Sequence, residues 1–209
     1  MANADELSLV RERALSDAAL HIPDGGKNLV FGKGNPDTPI LFIGESPGAH
    51  EDRLGVPFVG SAGKELDKLL RLIGLSIDDV YIANILKSRP PGNRDPTPGE
   101  IRAHTPYLVE QVRIINPRFV CTLGNYATKF VLAKLNPDGM AKIPGITALH
   151  GKPVEIVIDH LRFTVYPLYH PAAILYNPKL RGDLEADVKS LGGLLQTKRE
   201  RDGSLDAWS

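Results

Sequence analysis

The sequence contains only one cysteine, Cys121, among its 209 residues. A single cysteine cannot form an intramolecular disulfide, and it cannot supply the several thiolates of a cysteine-rich metal centre. Because Cys121 lies inside an apolar run, we interpret it as a small core residue and not as a nucleophile. We expect the protein to be cytoplasmic and monomeric.

Long apolar runs and an excess of one charge are also missing. No run approaches the roughly 20 apolar residues that span a bilayer, and residues 1–6 lack the basic and apolar regions of a signal peptide. The 25 basic residues are balanced by 25 acidic ones, so no overall field favours a polyanionic partner. This balance argues against a membrane protein and against a protein that coats the DNA backbone, but it allows a local basic rim around a pocket.

The apolar pattern indicates one α/β domain. With 42% hydrophobic and 24% charged residues, the chain resembles a soluble globular protein. Its length suits a single domain, residues 1–209, with a core at about 29–195 and a flexible tail at 196–209. Strand-like runs alternate with helical periodicities, at 40–43, 80–85, 119–123 and 161–167. This alternation predicts a parallel sheet covered by helices on both faces, with Ser61 and Thr97 as candidate helix N-caps.

The stretch from Ile40 to Gly60 carries the densest set of candidate functional residues. The apolar run ILFI has the length of a strand buried on both faces, and the GESPG loop that follows permits close ligand approach. Glu45, Glu51 and Asp52 supply carboxylates, and Phe58 supplies an aromatic ring. In open α/β sheets, pockets lie at the carboxyl ends of strands. The stretch is either the floor of a ligand pocket or an ordinary strand–helix connection with a solvated acidic turn.

Two further polar residues follow predicted strands. Asn84 lies near the end of the second strand, where a buried amide must find hydrogen-bond partners. His170 follows the last strand and precedes a proline, which favours an extended backbone. Since the carboxyl ends of parallel strands share one edge of a sheet, both residues can converge with the loop after Ile40–Ile43. This convergence favours one site over separate local explanations.

Three segments in this order resemble the uracil-DNA glycosylase superfamily, most closely its family 4: GESPGAHEDRLGVPFVGSAGKELDKLL, VYIANILKSRPPGNRDPTPGEI and HPAAIL. The resemblance spans roughly Phe31 to Lys189. It implies a three-layer α/β/α sandwich with a central, mostly parallel four-stranded sheet. It also implies an enzyme that flips uracil out of DNA and hydrolyses its N-glycosidic bond, leaving free uracil and an abasic site. The loop from Arg89 to Pro98 lacks the histidine of the cross-linking branch, so release of uracil is expected.

The resemblance implies roles for individual residues. The candidate catalytic residues are Glu51, Glu45 and His170. The candidate uracil-binding residues are Gly44, Ser46, Phe58, Asn84 and His170. Phe58 matches the ring on which the base stacks, Asn84 the amide that reads N3 and O4, and His170 the histidine that approaches O2. We place Glu51 first as the carboxylate near C1′, with Glu45 second.

Contacts with the DNA backbone are predicted from the same resemblance and from the basic loop after the second strand. The candidate DNA-binding residues are Lys87, Arg89, Arg94, Ala172 and Arg181. The basic loop could instead be a solvated loop that carries a few cations and does not contact DNA. The wedge that fills the gap left by the flipped base could be Ile174, Leu175 or Tyr176, unless these residues belong to the core.

The chain departs from family 4 at the iron–sulfur ligands. Family 4 enzymes usually carry four cysteines, whereas Ser88 and His104 stand at two of these positions here. The N-terminal pair falls near Asp17–His21, which contains no cysteine, and Cys121 lies elsewhere. We therefore expect no cluster, no other cofactor and no metal, and an N-terminal region held by packing alone. A substitute metal site at His21 and His104 would lack the soft thiolates.

Other functions fit parts of the pattern. A metal-dependent hydrolase could use His50, Glu51, Asp52 and His170, and loss of activity in EDTA would identify it. A non-catalytic uracil-DNA binder would bind DNA without producing alkali-labile sites. A dinucleotide-binding module is disfavoured, because GESPG lacks the GxGxxG spacing.

Overall fold

The computed structural model describes the backbone of residues 1–201 and the side chains of residues 1–197. The strands are β1 (Lys33–Gly34), β2 (Ile40–Gly44), β3 (Tyr81–Asn84), β4 (Phe119–Leu123), β5 (Val154–Ile158) and β6 (Leu161–Leu168). The helices are α1 (Asn3–Ser16), α2 (Ala49–Leu54), α3 (Ser61–Arg71), α4 (Pro98–Ile115), α5 (Asn125–Leu132), α6 (Ile146–Leu149), α7 (Ala173–Tyr176) and α8 (Leu180–Arg201). Short 3₁₀ segments occur at Ala18–Leu20, Pro91–Asn93 and Pro137–Lys142.

The strands of the described residues form one six-stranded sheet in the order β1-β3-β2-β4-β6-β5. The central strands β3, β2, β4 and β6 are parallel, which confirms the predicted four-stranded parallel centre. The edge strands β1 and β5 pair antiparallel and add one strand on each side. β5 and β6 are joined at Asp159, whose φ of 54° suits a tight hairpin turn. β1 has two residues, too few for a periodic signal in the sequence.

Both faces of the sheet are covered, because successive side chains of each central strand point to opposite faces. Leu41 packs into one buried cluster with Leu108 of α4. Its neighbour Phe42 packs into the other cluster with Leu66 of α3 and Leu191 of α8. The three-layer arrangement therefore follows from largely buried strands placed between two sets of helices.

The C-terminal helix changes the predicted boundary of the tail. α8 continues to Arg201, so the predicted tail at 196–209 begins inside this helix. Residues 202–209 lie outside the described residues. No helix in the described part of the chain is long and apolar enough to cross a membrane.

The two predicted N-caps differ in outcome. The Oγ1 atom of Thr97 accepts a hydrogen bond from the backbone N–H of Glu100, whose carboxylate accepts from the backbone N–H of Thr97. This capping box, with Pro98 at the first helical position, starts α4 as predicted. The prediction for Ser61 is wrong, because Gly60 occupies the N-cap of α3 and Ser61 is the first helical residue.

The carboxyl ends of the parallel strands meet at one edge of the sheet. Gly44 at the end of β2 pairs with Asn84 at the end of β3. Leu123 at the end of β4 pairs with Leu168 at the end of β6. The connections that follow these strands start side by side, and those after β2, β3 and β6 enclose a cavity.

Substitution of Thr97 by alanine should lower the free energy of unfolding by about 1 kcal/mol, because the backbone N–H of Glu100 loses its acceptor. Ser61→Ala is the matched control and should change it by less than about 0.5 kcal/mol, since Ser61 caps nothing. Urea denaturation of both variants measures the difference. Equal effects would contradict the assignment of the caps.

Candidate active site

A cavity of about 520 Å³ lies at the carboxyl edge of the sheet. It is lined by Glu45, Ser46, Pro47, Gly48, Glu51, Phe58, Ala62, Asn84, Asn93, His170, Ala172 and Tyr176. The loops after β2, β3 and β6 therefore converge, as the sequence predicts. A larger groove of about 1090 Å³ lies between α1 and α4, but it contains none of the predicted site residues.

Phe58 forms one wall of the cavity through an unusual backbone conformation. Its φ is 53°, a left-handed value that is uncommon for residues other than glycine. A Cβ atom on Gly63 would lie 2.0 Å from the carbonyl oxygen of Phe58, so this path of the loop requires glycine at 63. Nζ of Lys33 donates to the same carbonyl at 3.4 Å. The Phe58 ring centroid lies 5.8 Å from that of His170, and both rings border the cavity.

Asn84 forms the floor of the cavity at the end of β3. It is 2% exposed, and its Oδ1 atom is buried without a hydrogen-bond partner among the described residues. Leaving a buried acceptor unsatisfied costs about 1–3 kcal/mol, so this oxygen is a natural position for an N–H group of a ligand. A Cβ atom on Gly44 would lie 2.4 Å from this oxygen and 3.0 Å from the ring of Phe58. Glycine at 44 allows both side chains to share the floor.

His170 enters the cavity as a neutral imidazole. Burial lowers its pKa to about 4, and the charge of Glu51 opposes this shift only weakly. Nδ1 accepts a hydrogen bond from the backbone N–H of Ala172 at 3.2 Å, so the hydrogen of the neutral ring is on Nε2. Nε2–H is therefore available as a donor to a ligand.

The two glutamates of the cavity are held differently. Oε1 of Glu51 accepts hydrogen bonds from the backbone N–H groups of Val59 at 3.0 Å and Gly60 at 2.8 Å. These bonds fix the direction of the Glu51 carboxylate. Glu45 is half-buried, and burial together with the charge of Asp95 raises its pKa to about 7. Glu51 is thus a firmly oriented carboxylate, whereas Glu45 titrates near neutral pH.

Asn93 was missed by sequence reasoning although it lines the cavity. It lies in a 3₁₀ segment with a φ of 55°, and its Oδ1 accepts from Nε of the half-buried Arg89 at 2.7 Å. The Gly92–Asn93 pair after two prolines indicates a tight turn. The sequence does not reveal that this turn faces the ends of β2 and β3.

The three wedge candidates have very different exposure. Ile174 is 3% exposed and belongs to the core beside α8, whereas Leu175 is 48% exposed and Tyr176 is 88% exposed. Tyr176 also lines the cavity. The structure therefore favours Leu175 and Tyr176 over Ile174 as surface wedge residues.

The predicted phosphate contact of Lys87 is wrong. Lys87 is 0% exposed, because its ammonium group turns inward and donates to acceptors inside the protein. Arg94 and Arg181 are exposed, and they pair with Glu100 at 2.5 Å and with Glu65 at 3.0 Å. A phosphate contact by either arginine would compete with these ion pairs.

The four residues considered for a metal-dependent hydrolase do not converge. Nδ1 of His50 lies 2.8 Å from a guanidinium nitrogen of Arg53, and Oδ1 of Asp52 accepts from the backbone N–H of Asn28. Within the described residues, no group of three or more histidine, cysteine or acidic side chains could hold a metal ion. The side-chain arrangement gives this alternative no support.

The residues at the iron–sulfur positions are buried or hydrogen-bonded within the protein. Ser88 and His104 are buried, and Nδ1 of His104 accepts from the backbone N–H of Lys87 at 2.9 Å. Asp17 accepts a hydrogen bond from the hydroxyl of Tyr107 on α4 at 2.7 Å. Cys121 lies in the middle of β4, where burial raises the pKa of its thiol. Since cysteine thiolates hold such clusters, this donor set does not fit one.

The N-terminal region is held by hydrogen bonds as well as by packing, so the prediction of packing alone is wrong. Leu20 is 2% exposed and belongs to the core. The hydroxyl of Tyr107 donates to Asp17 at 2.7 Å, and Nε2 of Gln111 donates to the carbonyl of Phe31 at 2.9 Å. Both donors lie on α4.

Comparisons with known proteins agree with this arrangement. A model of the uracil DNA glycosylase superfamily matches residues 31–190. The chain is 40% identical over 196 residues to a type-4 uracil-DNA glycosylase of Sulfurisphaera tokodaii, which covers 93% of this chain and 87% of the relative. It is 41% identical over 195 residues to that of Saccharolobus solfataricus, covering 93% and 88%. It is 43% identical over 172 residues to that of Archaeoglobus fulgidus, covering 82% and 84%.

Acid pH should destabilise the protein through His104. Burial and, to a smaller extent, the charge of Lys87 lower its pKa to about 4 in the folded chain, whereas an unfolded histidine titrates near pH 6.5. Below that pH the unfolded chain binds a proton that the folded chain excludes, so the free energy of unfolding falls as the pH falls towards 4. Between pH 7 and pH 5 the expected contribution is about 2 kcal/mol.

Urea denaturation at both pH values measures this contribution. His104→Gln keeps a side-chain acceptor but cannot be protonated, so this variant should lack the pH-dependent contribution. His21→Gln at an exposed position should behave as wild type. The explanation fails when His104→Gln and wild type lose equal stability on acidification.

Proposed function

The chain belongs to the uracil DNA glycosylase superfamily, and we propose that it removes uracil from DNA by hydrolysing the N-glycosidic bond. The products are free uracil and an abasic site. The observation that carries the proposal is one cavity lined by Asn84 with its unpartnered amide oxygen, by the ring of Phe58 and by His170, whose Nε2 carries the hydrogen.

Asn84 and Phe58 account for recognition of the base. A base inside a duplex must be extruded before it can enter a cavity of this kind, and stacking on an aromatic side chain returns about 1–3 kcal/mol. Oδ1 of Asn84 accepts from N3–H of uracil, and its Nδ2 donates to O4. Cytosine presents an acceptor at N3 and an amino group at C4, so a fixed amide rejects it.

His170 stabilises the leaving group. Breaking the N-glycosidic bond leaves negative charge on uracil, much of it at O2. The Nε2–H donor of a neutral His170 meets this oxygen as an oxyanion hole would, an effect of about 3–4 kcal/mol for one well-placed donor.

Glu51 acts on the sugar side of the bond. The positive charge that develops on the sugar is stabilised by a carboxylate near C1′, which can also orient the attacking water. Two backbone N–H groups hold Oε1 of Glu51, which leaves Oε2 to face the sugar. Glu45 adds a second negative charge when it is ionised.

The surroundings of the site complete the proposal. Arg89, Arg94, Ala172 and Arg181 lie on the DNA side, with Tyr176 or Leu175 as the wedge. We assign no metal and no iron–sulfur cluster to the reaction, since the donor set at the cluster positions does not suit one. Product release, the monomeric state and a cytoplasmic location remain predictions from the sequence.

Excision of uracil tests the function directly. A labelled oligonucleotide with one uracil is incubated with the protein in EDTA and then treated with alkali. Wild type should cut at the uracil, and Asn84→Ala and His170→Ala should each be slower by at least roughly tenfold, because each loses a contact with the base. Asn136→Ala removes an exposed amide outside the cavity and serves as the control.

The other outcomes of this assay are equally informative. No scission with intact binding of uracil-containing DNA would mean that the fold is kept for recognition alone. If the protein neither cuts nor binds uracil-containing DNA, the proposed function is rejected. Activity that disappears in EDTA, or iron bound at stoichiometric amounts in the purified protein, would overturn the assignment of a metal-free enzyme.

The pH dependence of excision separates the two glutamates. The pKa of Glu45 is raised to about 7, so its stabilising charge is lost as the pH falls below 7, and single-turnover rates should rise with pH and level off above neutrality. Glu45→Gln should flatten this profile, whereas Glu51→Gln should lower the rate at every pH by at least about 100-fold. A larger loss for Glu45→Gln than for Glu51→Gln would reverse the two roles.

A further inference from the structure

The side chain of Lys87 lies fully inside the protein, with 0% exposure. Its Nζ atom donates to the backbone carbonyl of Asn84 at 2.8 Å and to Oε1 of Gln111 at 2.5 Å. The ring centroid of Phe31 lies 5.7 Å from Nζ. Burial lowers the pKa of Lys87 to about 7. Because lysine is almost never fully buried unless it is paired, these neutral contacts must compensate for the loss of hydration.

The groups around the ammonium are themselves fixed. Gln111 is fully buried on α4, and its Nε2 donates to the carbonyl of Phe31 at 2.9 Å, which turns its Oε1 towards Lys87. The backbone N–H of Lys87 donates to Nδ1 of His104 at 2.9 Å, and its carbonyl accepts from Val30 at 2.7 Å. The lysine is therefore anchored through both its backbone and its side chain.

Lys87 holds the backbone carbonyl of Asn84, and the side chain of Asn84 forms the cavity floor. β1 pairs with β3 at Tyr81 and Ile82 and does not extend to Asn84. On the other side, β2 ends at Gly44, directly opposite Asn84. The ammonium thus supplies a donor at the strand end, where β1 supplies none. A rotation of this peptide group would move the Asn84 amide against Gly44 or away from the base.

We infer that Lys87 is a positioning residue for base recognition: held by Gln111, it fixes the carbonyl of Asn84 and thereby the direction of the amide that reads uracil. The inference rests on the proposed function, because it takes Asn84 as the group that reads the base. A misplacement of about 1 Å at a reacting site can reduce a rate on the order of 100-fold, so a support beneath Asn84 has a measurable effect on excision.

A double-mutant cycle with Asn84 tests this inference. Lys87→Met removes the ammonium and keeps most of the side-chain volume. In the wild-type background it should slow single-turnover excision by at least roughly tenfold at a temperature where the variant is folded. In the Asn84→Ala background the same change should alter the rate by less than about twofold, because Lys87 then has no amide to position.

Variants of Gln111 provide an independent measurement, including the case in which Lys87→Met does not fold. Gln111→Glu keeps an acceptor for the ammonium but loses the donor to the carbonyl of Phe31, so it should slow excision less than Gln111→Leu does. Gln111→Leu should repeat the loss of Lys87→Met and its dependence on Asn84. Tyr107→Phe is the matched control. It removes a hydrogen bond from the same helix to the N-terminal region, and it should lower the thermal midpoint without slowing excision.

The outcomes are distinct. Equal losses in the presence and absence of the Asn84 amide would overturn the inference, as would wild-type excision by a folded but less stable Lys87→Met or Gln111→Leu protein. A wild-type protein that excises no uracil would reject the proposed function instead, before any variant is compared.

Discussion

The site depends on one close approach between two neighbouring strand ends. The register of β2 and β3 places residue 44 opposite Asn84, and the amide oxygen of Asn84 lies where a side chain at 44 would begin, 2.4 Å from that Cβ position. The ring of Phe58 occupies the adjoining space at 3.0 Å. Any side chain at 44 would displace the hydrogen-bonding floor or the aromatic wall. The floor and the wall therefore both require glycine at 44.

His104 and Gln111 of α4 support this floor through Lys87, and Tyr107 of the same helix holds the N-terminal region. His104, Tyr107 and Gln111 are spaced three and four residues apart and share one face of the helix. They contact the backbone of Lys87, the side chain of Asp17 and the carbonyl of Phe31. The same helix face therefore joins the N-terminal region, the segment after β3 and the segment before β1. Hydrogen bonds of this kind are directional, and they define the position of the strand end more sharply than apolar packing does.

The sequence predicts those parts of the structure that local patterns determine. Runs rich in apolar residues identify the four parallel strands, and the order Thr97, Pro98, Glu100 identifies the start of α4. The resemblance of three segments to one family predicts that Glu51, Asn84 and His170 share a site, and all three line one cavity. In contrast, the sequence around Lys87 resembles an exposed basic loop, because the acceptor Gln111 lies 24 residues away and only the fold brings it close.

The remaining errors have the same physical origin. Ser61 has the residue type of an N-cap, but the path of the loop places Gly60 there. β1 is too short for any periodicity and forms only because β3 offers it an edge. Asn93 reaches the cavity through a turn whose direction depends on its neighbours. Each of these features is decided by contacts between segments distant in sequence, which no local pattern encodes.

Burial shifts the pKa values of residues in the cavity and beneath it towards their neutral forms. These shifts suit a reaction that converts a neutral base into an anion. The same removal from water raises the pKa of Glu45 to about 7 and lowers the pKa values of His170 to about 4 and of Lys87 to about 7. In the proposed reaction His170 therefore meets the base as an uncharged donor, and Glu45 and Lys87 can be neutral near physiological pH. In a medium of low polarity, each hydrogen bond to a developing charge is stronger than in water. Burial makes charged groups unfavourable in the resting site. In the proposed reaction, the same burial strengthens the hydrogen bond from the Nε2–H donor once charge appears on uracil.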